Sequence, residues 1–166
     1  MTDAAFASLL DDFAAAAVAG DGPRFAALFT EDGCYHDVFY GLFQGRAAIA
    51  DMLENRFHRD AGNFRWDMHD PVRDGDIGYA RYVFSYDSKL AGAEGRRGLF
   101  EGVSVLRFDG SLIRDYREVA NVGPGLVALG FAPERIAKIL GREARALAER
   151  PEARGHAPSR SDSAKG

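Results

Sequence analysis

The sequence predicts an α+β fold: helices first, a mostly antiparallel sheet after them, and one added C-terminal helix. Three observations predict it. Apolar residues recur at helical spacing up to about residue 58. The period then drops to two from Phe64 to Ala120, broken by turn residues. Helical spacing returns after Pro133. Helices grouped before strands imply layers with a segregated sheet, because a parallel sheet would need the two to alternate.

Phe6, Leu9, Leu10, Phe13 and Ala17 mark a first helix over 4–19, which Gly20 ends. Asp21 then offers a cap and Pro23 suits a first turn, so Phe25, Leu28 and Phe29 form the face of a second, shorter helix. Residues 34–38 read as a short strand, and Ile49, Met52, Leu53 and Phe57 as a third helix over 46–58. Phe64, Trp66 and Met68 alternate with Arg65 and Asp67, giving a half-buried strand that Pro71 and Asp74-Gly75-Asp76 end. Strands follow over 77–87, Leu99–Phe108 and Leu112–Ala120, the last two joined by the hairpin signal Asp109-Gly110. Gly123-Pro124-Gly125 reads as a turn. Pro133 opens the last helix, whose stripe of Ile136, Ile139, Leu140 and Leu147 needs a surface to dock on. Residues 1–150 are expected to form one domain, and 151–166, rich in Arg, Ser, Pro, Gly and Ala, a disordered tail.

Composition narrows the function classes. A chain of 166 residues can bury a real core. A net charge of -4 argues against a nucleic-acid or anionic-membrane surface, which would need a basic stripe. The single cysteine, Cys34, permits no intramolecular disulfide and fits a reducing compartment. No basic run precedes an apolar one at the N-terminus, so no signal peptide is expected, and no stretch is long and apolar enough for a membrane helix. A cytoplasmic protein is the expectation. Cys34-Tyr35-His36-Asp37 contains metal-ligand types, but strand neighbours point to opposite faces, and no His-Glu-x-x-His or paired-cysteine motif exists, so no metal is expected. Nothing implies an organic cofactor.

Strand alternation groups the candidate site residues. Phe100, Gly102, Ser104 and Leu106 share one face of their strand. Tyr116 and Glu118 share a face, opposite Asp115 and Arg117; Ala80, Tyr82, Phe84 and Tyr86 share another, opposite Arg81 and Val83. Trp66 and Met68 would join them. The result is an aromatic interior with a few polar groups, the usual make-up of a small-molecule site. A carboxylate in it would be poorly solvated and its pKa raised, as a general base near neutrality requires. Plainer readings stand beside this one. Asp37 also suits a cap for the loop at Val38–Gly41, and a register error of one residue would turn Glu118 outward to an arginine. Tyr82, Tyr116 and Trp66 also suit simple core packing, and His36, alternating with Asp37, should face away. The opposite sheet faces carry Val83, Val103, Val105, Ile113 and Val119, too apolar for a solvated surface; a homodimer through them is expected.

The stretch Asp32 to Arg46, with Asp37 before a glycine-punctuated loop, carries a resemblance. So do Gly20-Asp21, Gly45-Arg46, Pro71-Val72 and Val105 through Gly110 in their order and spacing. Over about residues 5–122 the chain resembles the nuclear transport factor 2-like superfamily, and within it the ketosteroid isomerases and SnoaL-like polyketide cyclases. The resemblance implies a cone-shaped fold with a curved sheet, a small, largely apolar, oxygenated ligand in its mouth, and a cofactor-independent isomerase or cyclase. It implies Asp37 as the proton-shuttling carboxylate, for which strand alternation offers Tyr116 and Ser104 as hydrogen-bond donors. Phe13, Trp66, Tyr82, Phe84, Phe100, Glu118 and Asn121 would line the ligand. The chain departs from the isomerase pattern at the oxyanion donors: Phe13 stands where the tyrosine falls, Ser104 where the second acid falls, and Phe29 and Leu53 where supporting tyrosines fall. A phenyl ring donates no hydrogen bond. Asn121 replaces an acidic residue of the cyclases. The alternative is a non-catalytic binding or dimerisation module on the same fold.

Overall fold

The computed structural model describes residues 2–156. The chain divides into two compact units, Met1–Phe131 and Ala132–Gly166.

In the first unit, helix α1 (Asp3–Ala19) starts where Thr2 accepts the Ala5 N–H and ends at Gly20, whose φ of 71° is left-handed. Its apolar face of Phe6, Leu10, Phe13 and Ala17 is buried. Asp21 caps α2 (Gly22–Ala27) by accepting the Arg24 N–H. Strand β1 (Phe29–Asp37) begins five residues before the expected start at Cys34, and β2 (Gly41–Gln44) folds back on it, pairing Asp37 with Gly41. The expected third helix is interrupted: α3 (Arg46–Met52) passes into a π-helical turn, Leu53–Phe57, before the single turn α4 (His58–Asp60).

Four strands follow: β3 (Ala61–Asp74), β4 (Ile77–Ser88), β5 (Arg97–Asp109) and β6 (Leu112–Asn121). The sheet order is β2-β1-β6-β5-β4-β3, antiparallel except for β1 against β6. Pro71 does not end β3 as expected. The strand continues through it because β3 lies at the sheet edge and the register slips between His69 and Val72, with Asp70 at φ 51°. Gly123-Pro124-Gly125 opens a short helix, α5 (Gly123–Ala128), with Pro124 in its first turn.

One expected outer-face residue lies inside. Between Arg107 and Phe108 the β5–β6 register slips, so that Arg107 pairs with Asp115 and Phe108 with Ile113. This bulge reverses the parity of β6 below Arg114, and Ile113 is fully buried. Val83, Val103, Val105 and Val119 keep the outer orientation, and Val119 is 63% exposed.

In the second unit, α6 (Pro133–Ala148) forms as the spacing predicts, and none of its residues is buried. A 3-10 turn follows at Pro151–Ala153. Of the expected tail, residues 157–166 lie outside the described residues. Among the described residues no helix is long and apolar enough to cross a membrane.

Candidate functional site

The inner face of the sheet is built by the predicted alternation. Ala80, Tyr82 and Phe84 of β4, Phe100, Ser104 and Leu106 of β5 and Tyr116 of β6 are all buried. Across the strands, Ala80, Ser104 and Glu118 form one row, and Tyr82, Gly102 and Ala120 the next.

Glu118 is the hub of this face. Its Oε2 accepts from the Tyr82 hydroxyl at 2.9 Å and its Oε1 from the Tyr116 hydroxyl at 2.8 Å. Ser104 Oγ lies 2.9 Å from the same Tyr116 oxygen. A phenol has one proton, and Tyr116 gives it to Glu118, so Ser104 is the donor in that last bond. Some of the Glu118 side chain stays exposed, but its carboxylate is ringed by protein. Desolvation first, then the charge of Asp37, push it up to about 7 against the two tyrosine bonds. No lysine or arginine among the described residues pairs with it. Tyr116 and Tyr82 are raised in turn, chiefly by burial and then by the Glu118 charge.

Gly102 makes the Tyr82–Glu118 bond possible. A Cβ there would lie 2.6 Å from the Tyr82 hydroxyl and 2.7 Å from the Val119 carbonyl. The sequence showed only an inward glycine in a strand; the available signal was that such a glycine marks a close approach.

Asp37 ends β1 on the same side as Tyr35. Its Oδ1 accepts from the Phe39 and Tyr40 N–H groups at 2.7 and 2.8 Å, so it does cap the loop. Its negative charge also raises Glu118, Tyr82 and Tyr35, and helps burial push Tyr86 up to about 12. The capping carboxylate of Asp37 thus also acts by its charge on the groups of the inner face. The loop is tied down further by the Tyr40 hydroxyl, which donates to Asp60 at 2.8 Å, and by Phe39 packed edge-on against Phe100. Tyr35 was not among the candidates. It is buried and stacks on Tyr116 with ring centres 4.8 Å apart, and its spacing two residues before Asp37 was the signal for it.

The predicted aromatic wall is assembled but tightly packed. Phe13 is fully buried between Tyr116 and Trp66, at 4.8 and 5.4 Å. Trp66 packs on Phe84 and Tyr82, and Phe84 and Tyr86 on Phe100. Asn121 stands apart from the group: it is exposed, opposite Glu101 at the end of β6, with the outward parity of Val119. His36 faces away, as its alternation predicts. Its Nε2 lies 3.1 Å from Asp115 Oδ2, and Arg117 Nε donates to Asp115 Oδ1 at 2.9 Å. A groove of about 630 Å³ runs between α1 and β3 and is walled by Asp11, Ala14, Ala15, Val18 and residues 64–69. Among the described residues no cluster of His, Cys, Asp or Glu is grouped to hold a metal ion.

The SnoaL-like domain model matches residues 10–116. A comparison with curated proteins gave no match. Solved structures share the fold. A Catenulispora acidiphila DSM 44928 protein with a ketosteroid isomerase-like fold, in complex with trimethylamine, has a TM-score of 0.68 at 22% identity, covering 76% of this chain and 95% of its own. TsrD from Streptomyces laurentii has a TM-score of 0.67 at 18% identity, covering 78% and 98%. An LEH-like epoxide hydrolase from M. tuberculosis has a TM-score of 0.60 at 19% identity, covering 81% and 94%. At these identities the likeness concerns the fold alone. With a family model matched from α1 into β6, the chain belongs to the SnoaL-like domain family, and it shares the ketosteroid isomerase-like fold.

Proposed function

We propose that the protein is a cofactor-independent isomerase- or cyclase-like enzyme that moves a proton on a small, largely apolar, oxygenated molecule. The observation that carries this reading is the buried Glu118 carboxyl group on the inner face. Glu118 sits near neutrality between two tyrosines, with the charge of Asp37 acting on it. A carboxyl group that keeps its proton near neutrality serves as acid beside a second carboxylate acting as base.

Asp37 is the base. It takes a proton from the carbon beside a carbonyl, and the electrons of that C–H bond form the enolate. Glu118, protonated, donates to the oxygen where the charge gathers, and Ser104 and Tyr116 hold it from behind with Tyr82. This arrangement supplies a donor that Phe13 cannot. Asp37 then returns the proton to another carbon, or the enolate carbon attacks a second carbonyl of the same molecule, whose π bond opens as its oxygen takes the proton back from Asp37. Trp66, Phe84 and Phe100 form the apolar surround.

The test follows exchange of carbonyl-adjacent protons in heavy water with a panel of ketones and lactones. Asp37→Asn abolishes the exchange and changes ligand affinity little. Equal exchange rates in the wild type and this variant would exclude Asp37 as base. A second reading, a non-catalytic binding module, draws on the packing of Phe13, Trp66 and Phe100, all under 9% exposed; it predicts binding with no exchange in any panel member.

The apolar outer face, with Val103 37% and Val119 63% exposed, supports a homodimer through the backs of the sheets. Light scattering that finds only monomer at micromolar concentration excludes it. The single cysteine, a free thiol, supports a reducing, cytoplasmic location.

A further inference from the structure

We infer that the indole N–H of Trp66 is the hydrogen-bond donor that recognises a neutral oxygen of the ligand, so that the site selects carbonyl, ether or hydroxyl compounds over carboxylates. This rests on the reading of the inner face as a small-molecule site, and deepens it by naming the ligand's chemistry.

Trp66 is 8% exposed, and its Nε1 is buried with no hydrogen-bond partner. A buried donor without an acceptor is costly, and native structures rarely keep one without a reason. The rings that surround this one explain why the chain itself supplies none. Phe13, Phe57 and Phe84 carry no acceptor atom. Tyr82, a further ring neighbour with centres 5.9 Å apart, turns its hydroxyl proton to Glu118. An oxygen arriving from outside the chain satisfies this donor. Trp66 also belongs to the wall of the groove between α1 and β3, so solvent or a ligand has a route towards it.

The same surroundings set the charge of what arrives. Glu118 holds no cation, and the charge of Asp37 already acts on it. A further negative charge is disfavoured near Asp37, whereas a neutral oxygen accepts a hydrogen bond without that repulsion. The aromatic walls accept the rest of an apolar molecule.

The chain has one tryptophan, so one indole cross-peak reports this donor in a ¹H–¹⁵N spectrum. The probes are tetralone, tetralin, which lacks the oxygen, and naphthoate. Saturating tetralone is expected to move the indole proton downfield and slow its exchange with water; tetralin binds without that change, and naphthoate binds at least tenfold more weakly than tetralone. Trp66→Phe keeps a ring and removes the donor: tetralone affinity falls about tenfold, the worth of one hydrogen bond, and tetralin affinity stays the same. The spectrum of the wild type decides the matter should the variant fail to fold. The inference is overturned by an indole proton that does not move, or stays in rapid exchange with water, under saturating tetralone. It is also overturned by naphthoate binding as tightly as tetralone, or by no tetralone binding at millimolar concentration. Loss of catalysis reads out separately: an indole shift with no exchange of tetralone's carbonyl-adjacent protons defeats the proton-transfer reading and leaves the donor in place.

Discussion

Glu118 and Asp115 stand three residues apart on one strand, and their acidities lie at opposite extremes. Glu118 faces inward, where desolvation and the charge of Asp37 outweigh two tyrosine donors and push it up to about 7. Asp115 faces outward, where His36 first, and then Arg117, hold it down at about 2 despite partial burial. Both carboxylates accept short hydrogen bonds. The difference lies in whether a cationic side chain stands beside them. A neutral phenol stabilises a carboxylate less than a guanidinium does, and it cannot offset the loss of water. The two sides of one sheet thus set similar carboxyl groups at opposite ends of the acidity range.

The comparison breaks most visibly in activity. Glu118→Gln keeps the shape and part of the hydrogen bonding but removes the acid, and is expected to lower proton exchange by roughly 10²–10³. Asp115→Asn leaves it unchanged. Equal losses in the two variants would erase the distinction between the faces.

Packing gives the next effect. Ile113→Ala empties a fully buried site and is expected to cost about 2–4 kcal/mol in chemical denaturation. Val119→Ala, two-thirds exposed on the outer face, shifts the monomer by under about 0.5 kcal/mol. A small effect at Ile113 would show that the bulge does not turn it inward.

Stability against pH separates the carboxylates by sign. The native state holds the Glu118 proton more tightly than the unfolded chain does, whose value is near 4.5. Stability therefore falls as pH rises from about 4.5 to about 7, and Glu118→Gln removes that fall. Asp115 works the other way. Its contribution is complete above its unfolded value of 3.8 and is lost as pH drops through about 2, so Asp115→Asn removes about 1–2 kcal/mol at neutral pH and flattens the acid limb. Denaturation midpoints collected across the pH range check both slopes.

The smallest expected effect sharpens the inner arrangement. Gly102→Ala puts a methyl group against the Tyr82 hydroxyl and the Val119 carbonyl. Glu118 then loses one donor and its pKa moves up, which carbonyl-labelled NMR titration reads. An unmoved titration would mean that Tyr82 does not hold Glu118.

Much of this was legible because a strand has a period of two. The grouping of Tyr82, Ser104, Tyr116 and Glu118, and the opposite placement of His36 and Asp115, follow from alternation alone. The misreadings come where that period or the helical one slips. The bulge at Phe108 turned Ile113 inward, the π-helical turn at Leu53–Phe57 broke a helix whose apolar pattern looked continuous, and a slip after His69 carried β3 past Pro71. Hydrophobic pattern carries no mark of one extra residue in a ladder. The hub role of Glu118 was hidden for another reason: it depends on a tyrosine reaching across Gly102 from a strand two places away, which no local spacing records.

The broken register of β3 has a consequence for the life of the protein in a crowded solution. β3 is 14 residues long and forms one margin of the sheet, the other being the four residues of β2. A long, regular margin is a template on which another chain can add itself and propagate into fibrils. Here the ladder is interrupted between Gly62 and Arg65 and again between His69 and Val72, Asn63 and Asp70 take positive φ, and Pro71 has no N–H to offer. These irregularities leave no long straight run for an incoming strand, so the sheet ends where β3 ends.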